Sequence, residues 1–144
     1  MGHSFYQNFG HLVFRADAVE IRTEDLERLH AYMAGVARQL RIASVLIGGI
    51  ENHIHLLGNF PVSRPVSDAV RDLKTSTTHW LHFQRRQYKD FSWNQGYGYF
   101  SVSASAYSRV ADYIHRQREH HAGMSFQEEY ELLIKKHTSA HSPA

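Results

Sequence analysis

Glu51-Asn52-His53-Ile54-His55-Leu56-Leu57 is the stretch around which the predicted fold is organised. The apolar residues that follow its first two positions are typical of a buried β-strand. Side chains two residues apart on a strand point to the same face, roughly 6.5–7 Å apart along the chain. We therefore expect His53 and His55 to project together from one face, while Ile54 and Leu56 point into the core.

Two imidazoles arranged in this way can share one metal ion, each through one ring nitrogen. The same pattern also fits two polar residues on the solvated face of a half-buried strand, and the pattern alone leaves both interpretations open. Two ligands do not complete a metal site, so a third ligand would have to come from another part of the chain.

Length and composition limit the classes of protein that this chain can form. Its 144 residues suit one domain with a hydrophobic core, and we expect residues 1–144 to be a single domain with a disordered tail from about residue 137. The absence of cysteine excludes disulfides and thiolate metal sites. We find no apolar run that could span a membrane and no signal sequence, so we expect a cytoplasmic protein with no membrane partner. A sequence pI of about 9.0 is compatible with a polyanionic partner but does not argue for one.

Hydrophobic periodicity predicts the order strand, helix, strand, strand, helix, strand, followed by a helical tail. Gly48-Gly49, near the end of the second strand, suggests a bulge or a close approach of another backbone. This order fits an α+β fold of the ferredoxin-like split β-α-β type, with an antiparallel four-stranded sheet and helices on one face. In that topology the first and third strands are the central pair, so His53 and His55 would lie in mid-sheet on the face that the two main helices leave open. The predicted strands span residues 5–15, 43–50, 53–60 and 97–102, and the predicted helices span residues 24–41, 67 to about 86, 103 to about 121 and 125 to about 136.

The third predicted helix carries a second group of polar residues, Tyr113-Ile114-His115-Arg116-Gln117. Tyr113 and Gln117 are four residues apart and therefore share a helix face. Taken separately, a half-buried tyrosine and a solvated glutamine would be ordinary. Beside the histidine pair, Gln117 can offer a carbonyl oxygen as third metal ligand while Tyr113 holds a phenolic oxygen over the metal. Such a site keeps the open positions that a catalytic metal needs.

Several segments, in one order along nearly the whole chain, resemble a known family. They resemble the insertion-sequence single-strand DNA transposases, the single-tyrosine members of the HUH (His-hydrophobe-His) nucleases, which include repeat-associated tyrosine transposases. The most specific part is Gly-Tyr-Gly-Tyr-Phe-Ser-Val-Ser followed by Tyr-Ile-x-x-Gln. Relatives often carry basic residues after the first strand, where this chain has the sequence Arg-Ala-Asp-Ala-Val-Glu at residues 15–20. The segments that carry the resemblance are residues 52–57, 93–103, 113–117, 120–121 and 125–129.

The resemblance implies a function for each part of the predicted site. Tyr113 would be the nucleophile, and His53, His55 and Gln117 would bind Mg²⁺ or Mn²⁺. The domain would cleave and rejoin single-stranded DNA, folded as hairpins at element ends, through a 5′-phosphotyrosine intermediate. The resembling transposases are dimers, so a homodimer is expected, with composite active sites that take the histidines from one chain and the tyrosine helix from the other.

Three further expectations accompany this interpretation. Tyr107 is a rival nucleophile, but it lies nearly opposite Tyr113 on the helix and has Ala111 four residues later. A metal-dependent nuclease that uses water would need the ligands but not Tyr113, and a non-catalytic nucleic-acid-binding module would need neither. Some basic residues are candidate phosphate contacts, although an ordinary solvated charge is the more common role for each. These candidates are Arg71, Lys74, Arg85, Arg86, Lys89, Arg109 and Arg116.

Overall fold

A computed structural model describes residues 4–138 of the chain. Within these residues, five strands form one antiparallel sheet, and the predicted α+β class and element order are confirmed. No helix in this range is both long and apolar enough to cross a bilayer. The strands are β1 (Phe9–Asp17), β2 (Ala43–Ile50), β3 (His53–Asn59), β4 (Ser92–Trp93) and β5 (Gly98–Ser101), and the helices are α1 (Leu26–Gln39), α2 (Val66–His82), α3 (Tyr107–His115), α4 (Gln117–His120) and α5 (Phe126–Thr138).

The central pair of the sheet is β1 and β3, as predicted. β2 flanks β3 on one side, and β4 and β5 pair with different parts of β1 on the other. The two-residue strand β4 is an addition to the four predicted strands. His55 pairs in register with Val13 of β1, and His53 pairs with Arg15, so both histidines lie in mid-sheet.

Helices α1 and α2 cover the first face of the sheet. The apolar residues of α1 recur at helical spacing, so Leu29, Met33 and Val36 all turn towards the sheet. Ile54 and Leu56 of β3 belong to the same cluster, as the two-residue periodicity of a strand requires. This cluster is the larger of the two hydrophobic cores.

Helices also cover the second face of the sheet, which corrects the expectation of helices on one face only. Ile114 of α3 packs with Leu57 of β3 and Val102 in a second, smaller cluster. Gly48 allows this helix to come close, because a Cβ at that position would lie 2.5 Å from the carbonyl oxygen of Ile114. The predicted close backbone approach at the glycine pair is therefore confirmed, and its reason is the apolar stripe of α3.

The C-terminal helices differ from the prediction in two details. The third predicted helix is divided at Arg116, whose backbone (φ −103°, ψ 28°) separates α3 from α4. A capping box precedes α5, since the Glu128 amide donates to Ser125 Oγ and the Ser125 amide donates to the Glu128 carboxylate, both at 3.2 Å. Helix α5 continues through Thr138, slightly beyond its predicted end at about residue 136 and into the segment expected to be a disordered tail. Residues 139–144 lie outside the described part of the chain.

Candidate active site

The two histidines of β3 lie side by side beneath α3, α4 and α5. Both have an exposed fraction of 0%, so the strand geometry predicted for them is correct but the exposure is not. His53 Nδ1 lies 2.7 Å from Asn52 Oδ1, which leaves His53 Nε2 directed into the space between the sheet and the helices. The next residue of β3 on this face, Leu57, belongs to the second hydrophobic cluster, so the histidines lie at the border of that cluster.

Tyr113 and Gln117 approach these histidines from the helices. Gln117 is buried, and its Oε1 lies 2.9 Å from His53 Nε2. Tyr113 is half-buried, with its ring centroid 5.9 Å from that of His55. Arg118 fixes this end of the assembly, because its guanidinium donates to both carboxylate oxygens of Glu51, at 2.8 and 2.5 Å, in the turn before β3. The structure thus brings together all four of the residues predicted for the site, within one chain.

Glu129 is a central residue of the site that the sequence did not single out. It comes from α5, is 1% exposed, and places Oε1 3.2 Å from Nε2 of both His53 and His55. Its other oxygen, Oε2, accepts a hydrogen bond from the Tyr113 hydroxyl and one of 2.9 Å from Gln117 Nε2. The carboxylate therefore connects the histidine pair to the tyrosine. The helix dipole favours acidic residues in the first turn of any helix, so the position of Glu129 in the sequence did not indicate a role in the site.

His121 adds a third imidazole to Glu129. Its Nδ1 lies 2.6 Å from the carbonyl oxygen of Met124, and its Nε2 lies 2.9 Å from Glu129 Oε1. His121 therefore contacts both the residue that precedes α5 by two positions, Met124, and the Glu129 carboxylate in the first turn of α5.

His11 is a second residue that the sequence reasoning missed. It lies on β1 with 2% exposure, and its Nε2 is 2.7 Å from His55 Nδ1. The two rings are stacked, with centroids 5.0 Å apart. A histidine in an apolar strand has no sequence signal that would separate it from a core residue, and the contact with His55 comes only from the pairing of β1 with β3.

Burial sets the protonation of the site. It lowers the pKa of His11 from 6.5 to about 3 and that of His55 from 6.5 to about 4, so both imidazoles are neutral at pH 7. Burial, together with the neighbouring Glu129 carboxylate, raises the pKa of the Tyr113 hydroxyl. Burial alone would raise the pKa of Glu129, but hydrogen bonds with His53 and His55 hold it well below its usual range. The site therefore combines neutral ring nitrogens, an ionised carboxylate and a protonated phenol.

The residues fit a divalent cation. Among the described residues, one ligand atom from each of His53, His55 and Glu129 lies within 4.8 Å of the others, and all three residues are buried. If His53 Nδ1–H donates to Asn52, the lone pair of Nε2 faces oxygens of Gln117 and Glu129. Electron-rich atoms that face one another in a buried space are the arrangement that a cation satisfies.

The candidate phosphate contacts are scattered rather than gathered at the site. Arg85 pairs with the buried Asp25 at 2.6 Å, and Lys74 donates to the carbonyl oxygens of Asn94 and Gly96 at 2.9 and 2.7 Å, so both hold structural contacts. The other five lie at the surface: Arg71 pairs with Asp68 and Asp72, Arg116 pairs with Asp112, and Arg86, Lys89 and Arg109 are exposed. Five of the seven lie on α2 or shortly after it, on the opposite side of the sheet from the histidines, whereas Arg109 and Arg116 lie on the same side.

Tyr107, the rival nucleophile, is directed away from the histidines. Its hydroxyl donates to the carbonyl oxygen of Ser44 at 3.3 Å, and its ring packs against Phe9 with centroids 5.0 Å apart. The geometry therefore favours Tyr113.

Comparisons with known proteins agree with this architecture. A solved structure from Deinococcus radiodurans, described as a candidate transposase, matches with a TM-score of 0.60 at 20% identity and covers 81% of this chain and 96% of its own. A REP-associated tyrosine transposase, solved bound to a REP hairpin, matches with a TM-score of 0.58 at 15% identity and covers 86% of this chain and 76% of its own. At these identities the two structures show that the fold is that of single-tyrosine transposases. No curated protein matches the chain.

The sequence itself gives the family. Residues 4–117 match the family model described as "Transposase IS200 like", which is more than half of the chain. The chain therefore belongs to the IS200-like transposase family and is a DNA transposase. Tyr113 and Gln117 lie inside the matched range, whereas His121 and Glu129 lie beyond it.

Proposed function

We propose that this transposase cleaves and rejoins single-stranded DNA through a covalent 5′-phosphotyrosine intermediate on Tyr113, with a divalent cation. The observation that supports this most directly is the position of the Tyr113 hydroxyl. It lies against the same carboxylate, Glu129, that reaches both histidines of β3. A nucleophile and a candidate cation site thus share one buried group.

The cation would be held by His53, His55 and Gln117, with Glu129 added to the set expected from sequence. Mg²⁺ or Mn²⁺ is proposed; the carboxylate and amide oxygens suit such hard ions better than a pair of imidazoles alone would. These residues would hold the cation where it would supply positive charge to polarise the scissile phosphate and to neutralise charge on its oxygens.

Tyr113 and Glu129 divide the remaining chemistry between them. The phenol is protonated in the free protein, so attack requires a group that takes its proton, and the Glu129 carboxylate already accepts that hydrogen bond. The phenolic oxygen would form a bond to phosphorus, the bond to the 3′ oxygen would break, and that oxygen would leave as a hydroxyl with a proton from solvent. The phosphotyrosine bond keeps the energy of the phosphodiester, so rejoining to a new 3′-hydroxyl needs no ATP.

The proposed substrate is single-stranded DNA folded as a hairpin at an element end. The REP-associated relative was solved with a hairpin, which supports this class of substrate. Arg109 and Arg116 are the candidate phosphate contacts on the same side of the sheet as the histidines. We place the acting protein in the bacterial cytoplasm, associated with the nucleoid.

We also propose a homodimer whose active sites are shared between chains, as the resemblance implies. The Ser-Val-Ser-Ala-Ser-Ala segment at residues 101–106 is built of small residues and could serve as a hinge for exchange of the tyrosine helix. In this structure α3 and α4 dock on the histidines of their own chain, and exchange would have to break the Arg118–Glu51 pair. Mixing two inactive proteins, His53→Ala and Tyr113→Phe, tests the proposal: activity returns only if a heterodimer can combine intact histidines with an intact tyrosine from the other chain. A mixture that stays inactive although heterodimers have formed would reject shared sites.

The nucleophile is tested by incubating the protein with single-stranded element-end DNA and Mn²⁺, followed by a denaturing gel. The wild-type protein is expected to give a covalent protein–DNA adduct, and Tyr113→Phe to give neither adduct nor cleavage, because only the attacking hydroxyl is removed. Tyr107→Phe is the matched control and should keep the adduct. Cleavage without an adduct in Tyr113→Phe would favour a nuclease that uses water, and DNA binding without any cleavage by the wild-type protein would favour a non-catalytic module.

A further inference from the structure

His11 is a buried histidine next to the site that the proposed chemistry leaves without a task. Its ring nitrogen Nε2 lies 2.7 Å from His55 Nδ1, and the two rings are stacked with an interplanar angle of 28°. In a contact of this length between two imidazole nitrogens, one ring donates its N–H and the other accepts it. The contact therefore links the positions of the protons on the two rings.

Two arrangements of these protons satisfy the contact. In the first, His11 Nε2–H donates to His55 Nδ1, and His55 carries its own proton on Nε2, where it donates to Glu129 Oε1 at 3.2 Å. In the second, His55 Nδ1–H donates to His11 Nε2, and His55 Nε2 has a free lone pair directed at Glu129. Only the second arrangement leaves His55 able to bind a cation through Nε2, the nitrogen that faces the site.

We propose that His11 is a positioning residue that selects the cation-binding tautomer of His55. His11 Nε2 accepts a hydrogen bond from His55 Nδ1–H when a cation is bound, and His11 Nε2–H donates to His55 Nδ1 when no cation is bound. This inference rests on the proposed function, because it assumes that His55 is a cation ligand. It assigns to His11 the part that outer-shell partners of ligating histidines play in metal sites generally, which is to fix the tautomer and the ring orientation.

The change between the two arrangements conserves protons. Each ring begins with one proton on Nε2 and ends with one proton on Nδ1, so both rings stay neutral and the site neither gains nor loses a proton through this pair. Burial of both rings favours the neutral form throughout, since a charged imidazole is disfavoured away from water. A histidine suits this position because its ring nitrogen can either donate or accept a hydrogen bond, whereas an apolar side chain can do neither.

Tautomers are read directly by long-range ¹H–¹⁵N NMR of histidine-labelled wild-type protein, without any need for activity. On saturation with diamagnetic Mg²⁺, the protonated nitrogen is expected to change from Nε2 to Nδ1 in both His11 and His55. A His55 ring that still carries its proton on Nε2 in the Mg²⁺-saturated protein would overturn the proposal, as would a His11 ring that does not change.

Calorimetric titration with Mn²⁺ gives an independent measurement. His11→Leu removes the acceptor and is expected to lower Mn²⁺ affinity by roughly 10–100-fold. His11→Gln, whose side-chain oxygen can accept from His55 Nδ1–H, should recover most of that loss. His30 is the control, because it is a largely buried histidine on α1, across the sheet from the site, so His30→Leu should bind Mn²⁺ as the wild-type protein does.

The two proposals fail in different ways. Wild-type affinity in a folded His11→Leu protein would overturn the role of His11 while leaving the proposed function intact. If the wild-type protein bound neither Mn²⁺ nor Mg²⁺, the proposed cation site would fail, and the role of His11 would fail with it.

Discussion

The two faces of the sheet are built from different chemistry although they share the same strands. The face under α1 and α2 is a large apolar cluster, in which Leu29, Met33 and Leu73 are fully buried. The face under α3 to α5 has a small apolar cluster beside a group of buried polar residues. These polar residues are His11, His53, His55, Gln117 and Glu129, each at most 2% exposed.

Strand β3 contributes to both faces and therefore to both stability and chemistry. Alternation along β3 sends Ile54 to the first face and His53 and His55 to the second. Buried polar groups are tolerated when they are hydrogen-bonded, and here the Glu129 carboxylate contacts His55, Tyr113 and Gln117. We therefore expect folding stability to depend mainly on the first face and cation binding on the second.

A substitution on each face tests this separation, and the first has the largest expected effect. Leu73→Ala should lower the free energy of unfolding by about 2–5 kcal/mol, because it leaves a cavity in the larger core. Its Mn²⁺ affinity, measured where the protein is still folded, should be unchanged. His53→Ala should do the reverse, with Mn²⁺ binding lost and a smaller change in stability. Urea unfolding and calorimetry measure the two quantities, and a large loss of Mn²⁺ affinity in folded Leu73→Ala would show that the faces are not independent.

A smaller effect is expected from neutralising the carboxylate that sequence reasoning missed. Glu129→Gln keeps the shape of the side chain but removes its charge, so Mn²⁺ affinity should fall by at least the roughly 10–100-fold that loss of an outer-shell partner brings. Glu128→Gln is the matched control, since Glu128 is the exposed neighbour on the same helix turn. Equal Mn²⁺ affinity in both variants would remove Glu129 from the proposed ligand set.

The smallest effect concerns pH and is expected on both faces. Burial lowers the pKa of His30, on the first face, from 6.5 to about 4, while His11 and His55 on the second face are lowered to about 3 and about 4. Between these values and 6.5 the unfolded chain binds protons that the folded chain does not, so stability is present above pH 6.5 and is lost as the pH falls towards 4. His30→Gln should reduce the slope of unfolding free energy against pH near pH 5 by up to about 1.4 kcal/mol per pH unit.

Urea unfolding of metal-free protein between pH 7 and pH 4.5 measures this slope. His11→Gln should reduce the slope by a similar amount, and a protein that lacks all three histidines should be the least sensitive to pH. If His30→Gln left the slope unchanged, burial would not be what holds that imidazole neutral.

Prediction succeeded where the signal was local. The strands and helices followed from hydrophobic periodicity, which is set by the residues within each element. The helices on the second face were not predicted. The packing of α3 on β2 and β3 depends on Gly48 and on the apolar stripe around Ile114, and no local sequence rule connects these two features.

The amino-acid sequence was enough to predict the order of the elements, the paired projection of His53 and His55, and the shared face of Tyr113 and Gln117. These follow from fixed periods of two residues on a strand and about 3.6 on a helix. The identity of the residues that complete the site depends on tertiary packing. His11 is 44 residues from His55 and Glu129 is 74 residues from it, and both contacts arise because the pairing of β1 with β3 and the docking of α5 bring distant segments together. The hydrogen-bond partners of a buried polar group depend on tertiary packing and not on spacing along the sequence, so they are known only from the folded structure.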